Sequence, residues 1–291
     1  MTRTWFVTGC AGGIGQHLAA AALAAGDRVF AADLRVEGLR ELAATHGPRL
    51  RVHALDVTDP AAVRSATTAA VTAFGALDVV VNSAGYRSIG SIEDMSEVEF
   101  RRNVEVNLYG VVNVVRAVLP VMREARSGRI LTISTIGGRR AQPGLGAYQT
   151  AKWAVGGFCE ILAREVRPLG IRATLIETGG VRTAWAEQPT SDVDVREEYQ
   201  ETVGRFARTY HDNPDVQRGD PAKIARVLVA LTEEPDPPAR LLLGSDAAWI
   251  GRLVTEARAA EDDRWRPLSL STDLDGLGDF ADTEVARMVR P

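Results

Sequence analysis

The sequence predicts an α/β protein in three layers, αβα, with a doubly wound parallel sheet of about seven strands between the two helical layers. Short runs rich in Val, Ile and Leu alternate with longer helical patterns as far as about residue 245, which is typical of repeated βαβ units. A glycine-rich segment separates the first apolar run from the first helical pattern. Right-handed crossovers would then place a ligand crevice at the carboxyl ends of the strands.

Each element is predicted from its own local pattern. The predicted strands cover residues 4–8, 28–32, 49–55, 77–82, 128–134, 172–177 and 240–243. The predicted helices cover residues 16–25, 59–74, 104–125, 147–169 and 221–232, with a further helical stretch that begins at Ser96. Asp59 is expected to cap the second helix, because Pro60 follows at its first turn. No linker interrupts this alternation, so one domain is expected over residues 1–245, with an extension over 246–291.

The segment after the first strand contains four glycines within the seven residues from Gly9 to Gly15. Glycines at a strand-to-helix turn permit a tight bend and let the backbone approach a pyrophosphate, which the helix N-terminus then binds. Asp33 ends the second strand, 18 residues after Gly15. Its carboxylate can bind the adenosine ribose and would repel a 2′-phosphate. A Rossmann-like site that prefers NAD is therefore predicted, and nearby Arg35 leaves NADP as the alternative.

A tyrosine and a lysine, Tyr148 and Lys152, are four positions apart on a predicted helix. Their side chains would lie on one face, one turn apart. A free phenol has a pKa of about 10, and a neighbouring ammonium favours the phenolate. We therefore expect Lys152 to lower the pKa of Tyr148. Such pairs occur on many helices, so the functional interpretation depends on the other motifs.

Together these motifs resemble those of the short-chain dehydrogenase/reductase family, in its single-domain form. The loop Thr8-Gly9-x-x-x-Gly13-Ile14-Gly15 matches that family's T-G-x-x-x-G-x-G, and Tyr148 with Lys152 matches its catalytic pair. Asn107 matches the asparagine that holds a water beside the lysine. The resemblance covers residues 4–245 and implies cofactor contacts over several segments. These are Gly9, Gly12, Gly13, Ile14, Gly15, Asp33, Asp56, Val57, Asn82, Ala84, Gly85, Tyr148, Lys152, Gly179, Val181 and Thr183.

The sequence departs from the family pattern at two places. Thr135 stands where the family has a serine, 13 residues before Tyr148, and Ser134 precedes it. Because neighbouring side chains on a strand point to opposite faces, Thr135 is the predicted catalytic hydroxyl and Ser134 the reserve. The second departure is the run Thr178-Gly179-Gly180-Val181-Arg182-Thr183, which lacks the proline of the family's P-G-x-x-x-T. Thr183 matches the family's threonine at the nicotinamide carboxamide, and without the proline this turn is expected to be less stiff.

The resemblance implies an oxidoreductase that interconverts a secondary alcohol and a ketone by hydride transfer. Thr135 and Tyr148 would bind the substrate oxygen, and Tyr148 would be its acid or base. Lys152 would hold the nicotinamide ribose, and Asn107 would hold a water. Two alternatives remain open at this point. One is a redox-neutral enzyme on the same scaffold, such as a dehydratase, cyclase or epimerase, and the other is a dinucleotide-sensing binding protein.

The segment over residues 181–219 has the position of a substrate lid in the family and is rich in aromatic residues. These are Trp185, Tyr199, Phe206 and Tyr210. They would either clasp an apolar or polycyclic small molecule or anchor the lid or a subunit contact. Arg139, Arg140 and Gln142 precede the catalytic helix and either meet polar substrate groups or remain solvated. Trp249 and Trp265 suggest that the extension packs on the domain or on a neighbouring subunit.

The composition narrows the class of protein. A net charge of −4, from 34 basic and 38 acidic residues, disfavours a nucleic-acid or anionic membrane partner. Two cysteines, Cys10 and Cys159, exclude a disulfide framework and are expected to be small buried residues. The first strand starts by residue 4, and no apolar run of membrane-spanning length is expected. The prediction is a cytoplasmic enzyme, a homodimer or homotetramer, with a small-molecule substrate and no metal.

Overall fold

The computed structural model describes residues 2–183, 194–213 and 216–289, except for the side chain of His211. The chain divides into two compact units, residues 1–251 and 252–291. This boundary lies a few residues after the predicted one at 245. The first unit holds the sheet and the candidate site. Packing of the C-terminal extension on the domain or on a neighbour stays a prediction, and Trp249 and Trp265 are 66% and 51% exposed.

The first unit contains a seven-stranded, all-parallel sheet in the order β3-β2-β1-β4-β5-β6-β7. The strands are β1 (Thr4–Thr8), β2 (Arg28–Asp33), β3 (Leu50–Ala54), β4 (Val79–Asn82), β5 (Gly128–Thr135), β6 (Ile171–Thr178) and β7 (Arg240–Leu243). The order reverses direction between β1 and β4, where ligands bind in open α/β sheets. The predicted fold class is confirmed, and each strand lies within three residues of its predicted bounds.

The α-helices among the described residues are α1 (Gly13–Ala24), α2 (Arg40–His46), α3 (Pro60–Phe74), α4 (Glu97–Val104), α5 (Gly110–Ala125), α6 (Gly146–Val166), α7 (Arg205–Asp212), α8 (Pro221–Leu231), α9 (Ser245–Leu270) and α10 (Glu284–Val289). A π-helical turn, Glu105–Tyr109, joins α4 to α5. Asp59 caps α3 as predicted, accepting hydrogen bonds from the backbone N–H of Ala61 at 2.7 Å and Ala62 at 3.1 Å. The helices α2, α7, α9 and α10 were not predicted.

The two faces of the sheet bury separate apolar cores. Along β1, Phe6 points into one core, whereas its neighbours Trp5 and Val7 point into the other. This alternation follows from the two-residue period of a strand. The Phe6 core includes side chains of α3, α5 and α6, and the Trp5 core includes side chains of α1 and α8. Helices therefore cover both faces of the sheet, which gives the predicted αβα layers.

One helical stretch, Glu97–Ala125, is long and apolar enough to cross a membrane by length and composition alone. It corrects the expectation that no apolar run reaches that length. On α5, the side chains of Val111, Val115 and Met122 are buried in the core that contains Phe6. A core helix of a globular domain passes the same test, because it buries an apolar face against the rest of the domain, as α5 does here.

Candidate active site at the carboxyl ends of the strands

A cavity of about 1420 Å³ opens at the carboxyl ends of the strands. Its wall includes the segments that follow β1, β2, β3, β4, β5 and β6. Pockets for one ligand are usually roughly 300–1,000 Å³. This cavity therefore has room for a dinucleotide and a second molecule beside it.

The glycine loop after β1 forms one end of this cavity. Gly9 has φ +71°, and a Cβ there would lie 2.6 Å from the backbone nitrogen of Ala84. The loop can therefore pack against the segment after β4 only with glycine at this position. Within the described residues, no side chain caps the start of α1 at Gly12, and a Cβ at Gly12 would meet only open space. The first N–H groups of α1 are thus available to a pyrophosphate.

Asp33 lies at the cavity wall, at the end of β2. Its carboxylate accepts hydrogen bonds from the backbone N–H of Ala11, at 2.9 Å, and of Arg35, at 3.1 Å. These contacts join the carboxylate to the glycine loop and leave further lone pairs for a ribose hydroxyl. The open helix terminus and this carboxylate fit the pyrophosphate and the adenosine ribose of an adenine dinucleotide.

Most of the predicted cofactor residues share this cavity, and two do not. Asp56, Val57, Ala84, Gly85, Gly179, Val181 and Thr183 all line it. Gly15 is absent from the wall because it packs against the loop, where a Cβ would lie 2.2 Å from the carbonyl oxygen of Gly9. Asn82 is buried at the end of β4, where its amide donates to the hydroxyl of Thr132 at 3.1 Å. These two residues lie outside the cavity wall, and their contact with a cofactor stays a prediction.

Lys152 lies on α6, one turn after Tyr148, as predicted. Its ammonium donates to the carbonyl oxygen of Ile133 on β5, at 3.1 Å, and lies 5.7 Å from the centroid of the Tyr148 ring. The side chain is only 5% exposed. Burial lowers the pKa of Lys152 to about 8, because desolvation disfavours the ammonium. Lys152 thus lies beside the Tyr148 ring, as a buried ammonium with a lowered pKa.

The predicted lowering of the Tyr148 pKa by Lys152 is wrong for this arrangement. Burial raises the pKa of Tyr148 above its usual value, and the nearby Tyr210 adds to the rise. The physical reason is desolvation, which disfavours a phenolate more than the surrounding charge favours it. The cation that lowers the pKa of Tyr148 is Arg87, a residue that the sequence motifs did not indicate.

Asn107 lies in the π-helical turn, completely buried. Its amide nitrogen donates to the carbonyl oxygen of Tyr86 at 2.8 Å, and to the backbone and side-chain oxygens of Asn103 at 3.0 and 2.9 Å. Its Oδ1 has no hydrogen-bond partner among the described residues. A Cβ built on Gly85 would lie 2.6 Å from this oxygen and 3.8 Å from the Lys152 ammonium. The oxygen is therefore directed to a place where a water could link it to Lys152.

The two candidate hydroxyls at the end of β5 both line the cavity. Thr135 Oγ1 accepts a hydrogen bond from the backbone N–H of Gly137, at 3.2 Å. Since a hydroxyl can accept and donate at once, the proton of Thr135 remains available to a substrate oxygen. Ser134 is buried, and its Oγ has no partner among the described residues. The strand register predicts Thr135, and the choice between the two hydroxyls stays a prediction.

The turn after β6 is restrained although it lacks the proline. The backbone N–H of Gly180 donates to Asp246 at 2.8 Å, and the N–H of Gly179 donates to the carbonyl oxygen of Leu243 at 3.0 Å. The carbonyl oxygen of Gly180 accepts from the N–H of Gly219 at 2.8 Å. Asp246, in the first turn of α9, also lines the cavity. Its place in the extension gave no sequence signal for this contact.

The lid residues differ in their roles. Phe206 and Tyr210, on α7, line the cavity. Tyr199 donates its hydroxyl to Glu93 at 2.7 Å and packs against Leu145, so it anchors the lid. Trp185 lies outside the described residues. The lid thus presents two aromatic rings to the candidate substrate region.

The three polar residues of the loop before α6 also differ in position. Arg140 and Gln142 line the cavity. Arg139 instead donates through Nε, at 2.9 Å, to Glu177 of β6, which is completely buried. Arg240 of β7 binds the same carboxylate at 2.8 Å. This buried cluster fixes the loop against β6 and excludes Arg139 from the substrate region.

Known proteins resemble this chain in sequence and in fold. Residues 3–194 match the family described as short chain dehydrogenase. The chain is 44% identical over 273 residues to oxidoreductase BOA17 of Botryotinia fuckeliana, covering 94% of this chain and 100% of that protein. It is 35% identical over 228 residues to a 3-alpha-(or 20-beta)-hydroxysteroid dehydrogenase of Mycobacterium tuberculosis, covering 78% and 81%. A short-chain dehydrogenase structure from Streptomyces avermitilis gives a TM-score of 0.88 at 34% identity, covering 94% and 100%.

Proposed function

The chain belongs to the short-chain dehydrogenase/reductase family of oxidoreductases, and we propose that it interconverts a secondary alcohol and a ketone with NAD(P). Members of this family bind NAD(P). One observation carries the proposal: Thr135, Tyr148, Lys152 and Asn107 meet in a single cavity with the glycine loop. The observed hydroxyl, phenol, ammonium and amide are the groups that the family's chemistry requires.

Each side chain has a distinct part in the proposed mechanism. Bound NAD(P) would supply or accept the hydride. The hydroxyls of Thr135 and Tyr148 donate hydrogen bonds to the substrate oxygen during reduction, and Tyr148 transfers its proton to that oxygen. In oxidation, the Tyr148 phenolate accepts the proton. Lys152 and the free oxygen of Asn107 position a water through which Tyr148 exchanges protons with solvent.

We infer a small to medium-sized, largely apolar or polycyclic substrate. The cavity wall includes four apolar side chains that such a substrate could contact, namely Leu145, Phe206, Val216 and Ile250. The mycobacterial relative is named as a hydroxysteroid dehydrogenase, which is consistent with a rigid apolar substrate. Analogy at this level of identity supports a class of substrate and no individual compound.

We also propose NAD as the preferred coenzyme, since the Asp33 carboxylate lies where a 2′-phosphate would be repelled. The proposed assembly is a homodimer or homotetramer in the cytoplasm. Two apolar side chains on α6, Trp153 and Ile161, are substantially exposed and could contribute to such an interface.

The test is a spectrophotometric screen of secondary alcohols and ketones with NAD(H) and NADP(H). Replacing Tyr148 with Phe should lower turnover about 10²- to 10⁴-fold, because the acid or base is lost. Coenzyme binding, measured by calorimetry, should stay within about threefold of the wild type. Tyr109→Phe is the matched control, because Tyr109 is about half exposed on the π-helical turn.

Other results would replace the proposal. Product formation without stoichiometric NADH would indicate a redox-neutral enzyme. Dinucleotide binding with no turnover over the whole panel would indicate a sensing protein. Full turnover by Tyr148→Phe would show that the Tyr148 phenol is not the acid or base of the reaction.

A further inference from the structure

We propose that Arg87 is a positioning residue for the acid–base step: its guanidinium, held against the ring of Tyr210, supplies a second positive charge near the Tyr148 phenol. This inference rests on the proposed function, in which Tyr148 gives and takes the proton. It assigns a part in the reaction to a residue outside the family's motifs.

Arg87 occupies a fixed place in the wall of the cavity. It lies two residues after Gly85, in the segment that follows β4, and it is only 8% exposed. The next residue, Ser88, is completely buried and accepts a hydrogen bond from the Asn103 amide at 3.1 Å. Asn103 in turn bonds to Asn107. The backbone that carries Arg87 is therefore tied to the same polar cluster that holds the catalytic asparagine.

The lid contributes the other half of this arrangement. The guanidinium carbon of Arg87 lies 4.3 Å from the centroid of the Tyr210 ring. A guanidinium over an aromatic face is attracted by the electrons of the ring, most strongly where both groups are desolvated. Phe206 supports this ring, with the two centroids 5.7 Å apart. The lid helix α7 thus fixes the position of a positive charge inside the cavity.

The positive charge of Lys152 is not constant over the pH range of interest. Burial lowers its pKa to about 8, and its ammonium donates to the Ile133 carbonyl oxygen. An arginine keeps its charge at every pH of interest. Arg87 therefore supplies the permanent positive charge of a guanidinium.

The charged and titratable groups near the phenol come from several elements. Lys152 lies on the same helix, Arg87 on the segment after β4, and Tyr210 on α7. Glu99 and Arg102 of α4, Arg140 before α6 and Asp246 of α9 line the same cavity. Of these, Arg87 lowers the pKa of Tyr148 and Tyr210 raises it. The ionisation of Tyr148 should therefore respond to Arg87 through its charge.

The test is the pH dependence of kcat/KM for alcohol oxidation with saturating NAD. In the wild type, the rate should rise with pH as Tyr148 loses its proton. Arg87→Gln should move this rise by about one pH unit to higher pH, since a nearby opposite charge lowers an acidic pKa by about that much or more. On the acidic side, kcat/KM should fall about tenfold. Arg87→Lys should restore most of the wild-type position.

Two further comparisons separate charge from structure. Arg101→Gln removes an exposed arginine of α4, outside the cavity, and should leave the position of the rise unchanged. Tyr210→Phe keeps the ring that supports Arg87, whereas Tyr210→Leu removes it. The rise should therefore occur at higher pH in Tyr210→Leu than in Tyr210→Phe. This pair carries the test if Arg87→Gln does not fold, as judged by circular dichroism.

The proposal is overturned if Arg87→Gln lowers the rate equally at every pH, or if Arg87→Lys behaves like Arg87→Gln. The first result would mean a structural role and the second a purely steric one. A wild type that turns over with a Tyr148-dependent rise, unmoved in Arg87→Gln, refutes this inference and leaves the proposed function intact. A wild type with no turnover on any alcohol refutes both.

Discussion

Replacing Lys152 with methionine should stabilise the protein at pH 7 although turnover is lost. The ammonium is nearly completely buried, and its pKa falls from 10.5 to about 8. Since one pKa unit corresponds to about 1.36 kcal/mol, this fall corresponds to about 3 kcal/mol against the charged form at pH 7. Methionine fills a similar volume without charge but loses the hydrogen bond from the ammonium to the Ile133 carbonyl oxygen, which costs about 2 kcal/mol because the donor is charged. The net expectation is a free energy of unfolding about 1 kcal/mol higher than in the wild type.

This difference should depend on pH in a defined direction. Below pH 8, Lys152 is protonated in both the folded and the unfolded states, and the wild type carries the full penalty. Between pH 8 and 10.5, the unfolded state binds more protons than the folded state, so wild-type stability rises with pH. Above that range the penalty is gone. The advantage of the methionine variant should therefore shrink steadily from pH 8 upward.

The measurement is urea unfolding at pH 7 and at a pH near 10, followed by circular dichroism. The chain offers a matched control, because its only other lysine is Lys223, which is exposed on α8. Lys223→Met should change the free energy of unfolding by less than about 0.5 kcal/mol at either pH. A Lys152→Met variant that is less stable than the wild type at pH 7, or a difference that does not vary with pH, would refute the reasoning.

Two more predictions concern the coenzyme. Asp33→Ala should lower the preference for NAD over NADP by about tenfold or more, because the carboxylate no longer repels a 2′-phosphate; calorimetry with both coenzymes measures it, and an unchanged ratio would contradict the assignment. Asp246→Asn should raise KM for the coenzyme about tenfold with a smaller effect on kcat, since the turn at Gly180 loses a charge-assisted hydrogen bond. Asp262→Asn, at an exposed position of the same helix, is its control, and equal KM values in the two variants would disprove the role of Asp246.

The fold could be predicted well because its signals are local. The strands β1 and β7 match the predicted bounds, since apolar residues run continuously between glycine, proline or charged residues. The lid helix α7 was not predicted, because its eight residues are mostly polar and its few apolar side chains pack only on the lid and the cavity wall. The helix α9 is mostly exposed and lacks the apolar stripe that would mark it in sequence.

The site could be predicted only as far as the motifs extend. Thr135, Tyr148, Lys152 and Asn107 were located from their match to the family's motifs, and they line one cavity. The direction in which the pKa of Tyr148 is shifted could not be predicted. It depends on how deeply the phenol is buried and on which residue of a distant segment approaches it. Arg87 reaches the site through the path of the loop after β4, which no spacing rule describes.

In the turn after β6, tertiary hydrogen bonds replace the restraint that the family's proline would give. A proline restrains its own backbone locally, before any tertiary contact forms. Here the corresponding restraint comes from three separate places: the carboxylate of Asp246, the carbonyl oxygen of Leu243 and the N–H of Gly219. A Cβ at Gly180 would lie 1.6 Å from the carbonyl oxygen of Val216, so this close approach also requires glycine. The turn is therefore stiff only once β7, the first turn of α9 and the end of the lid have docked. As a result, the geometry of the candidate nicotinamide site is coupled to the position of the lid, which a proline would have made independent.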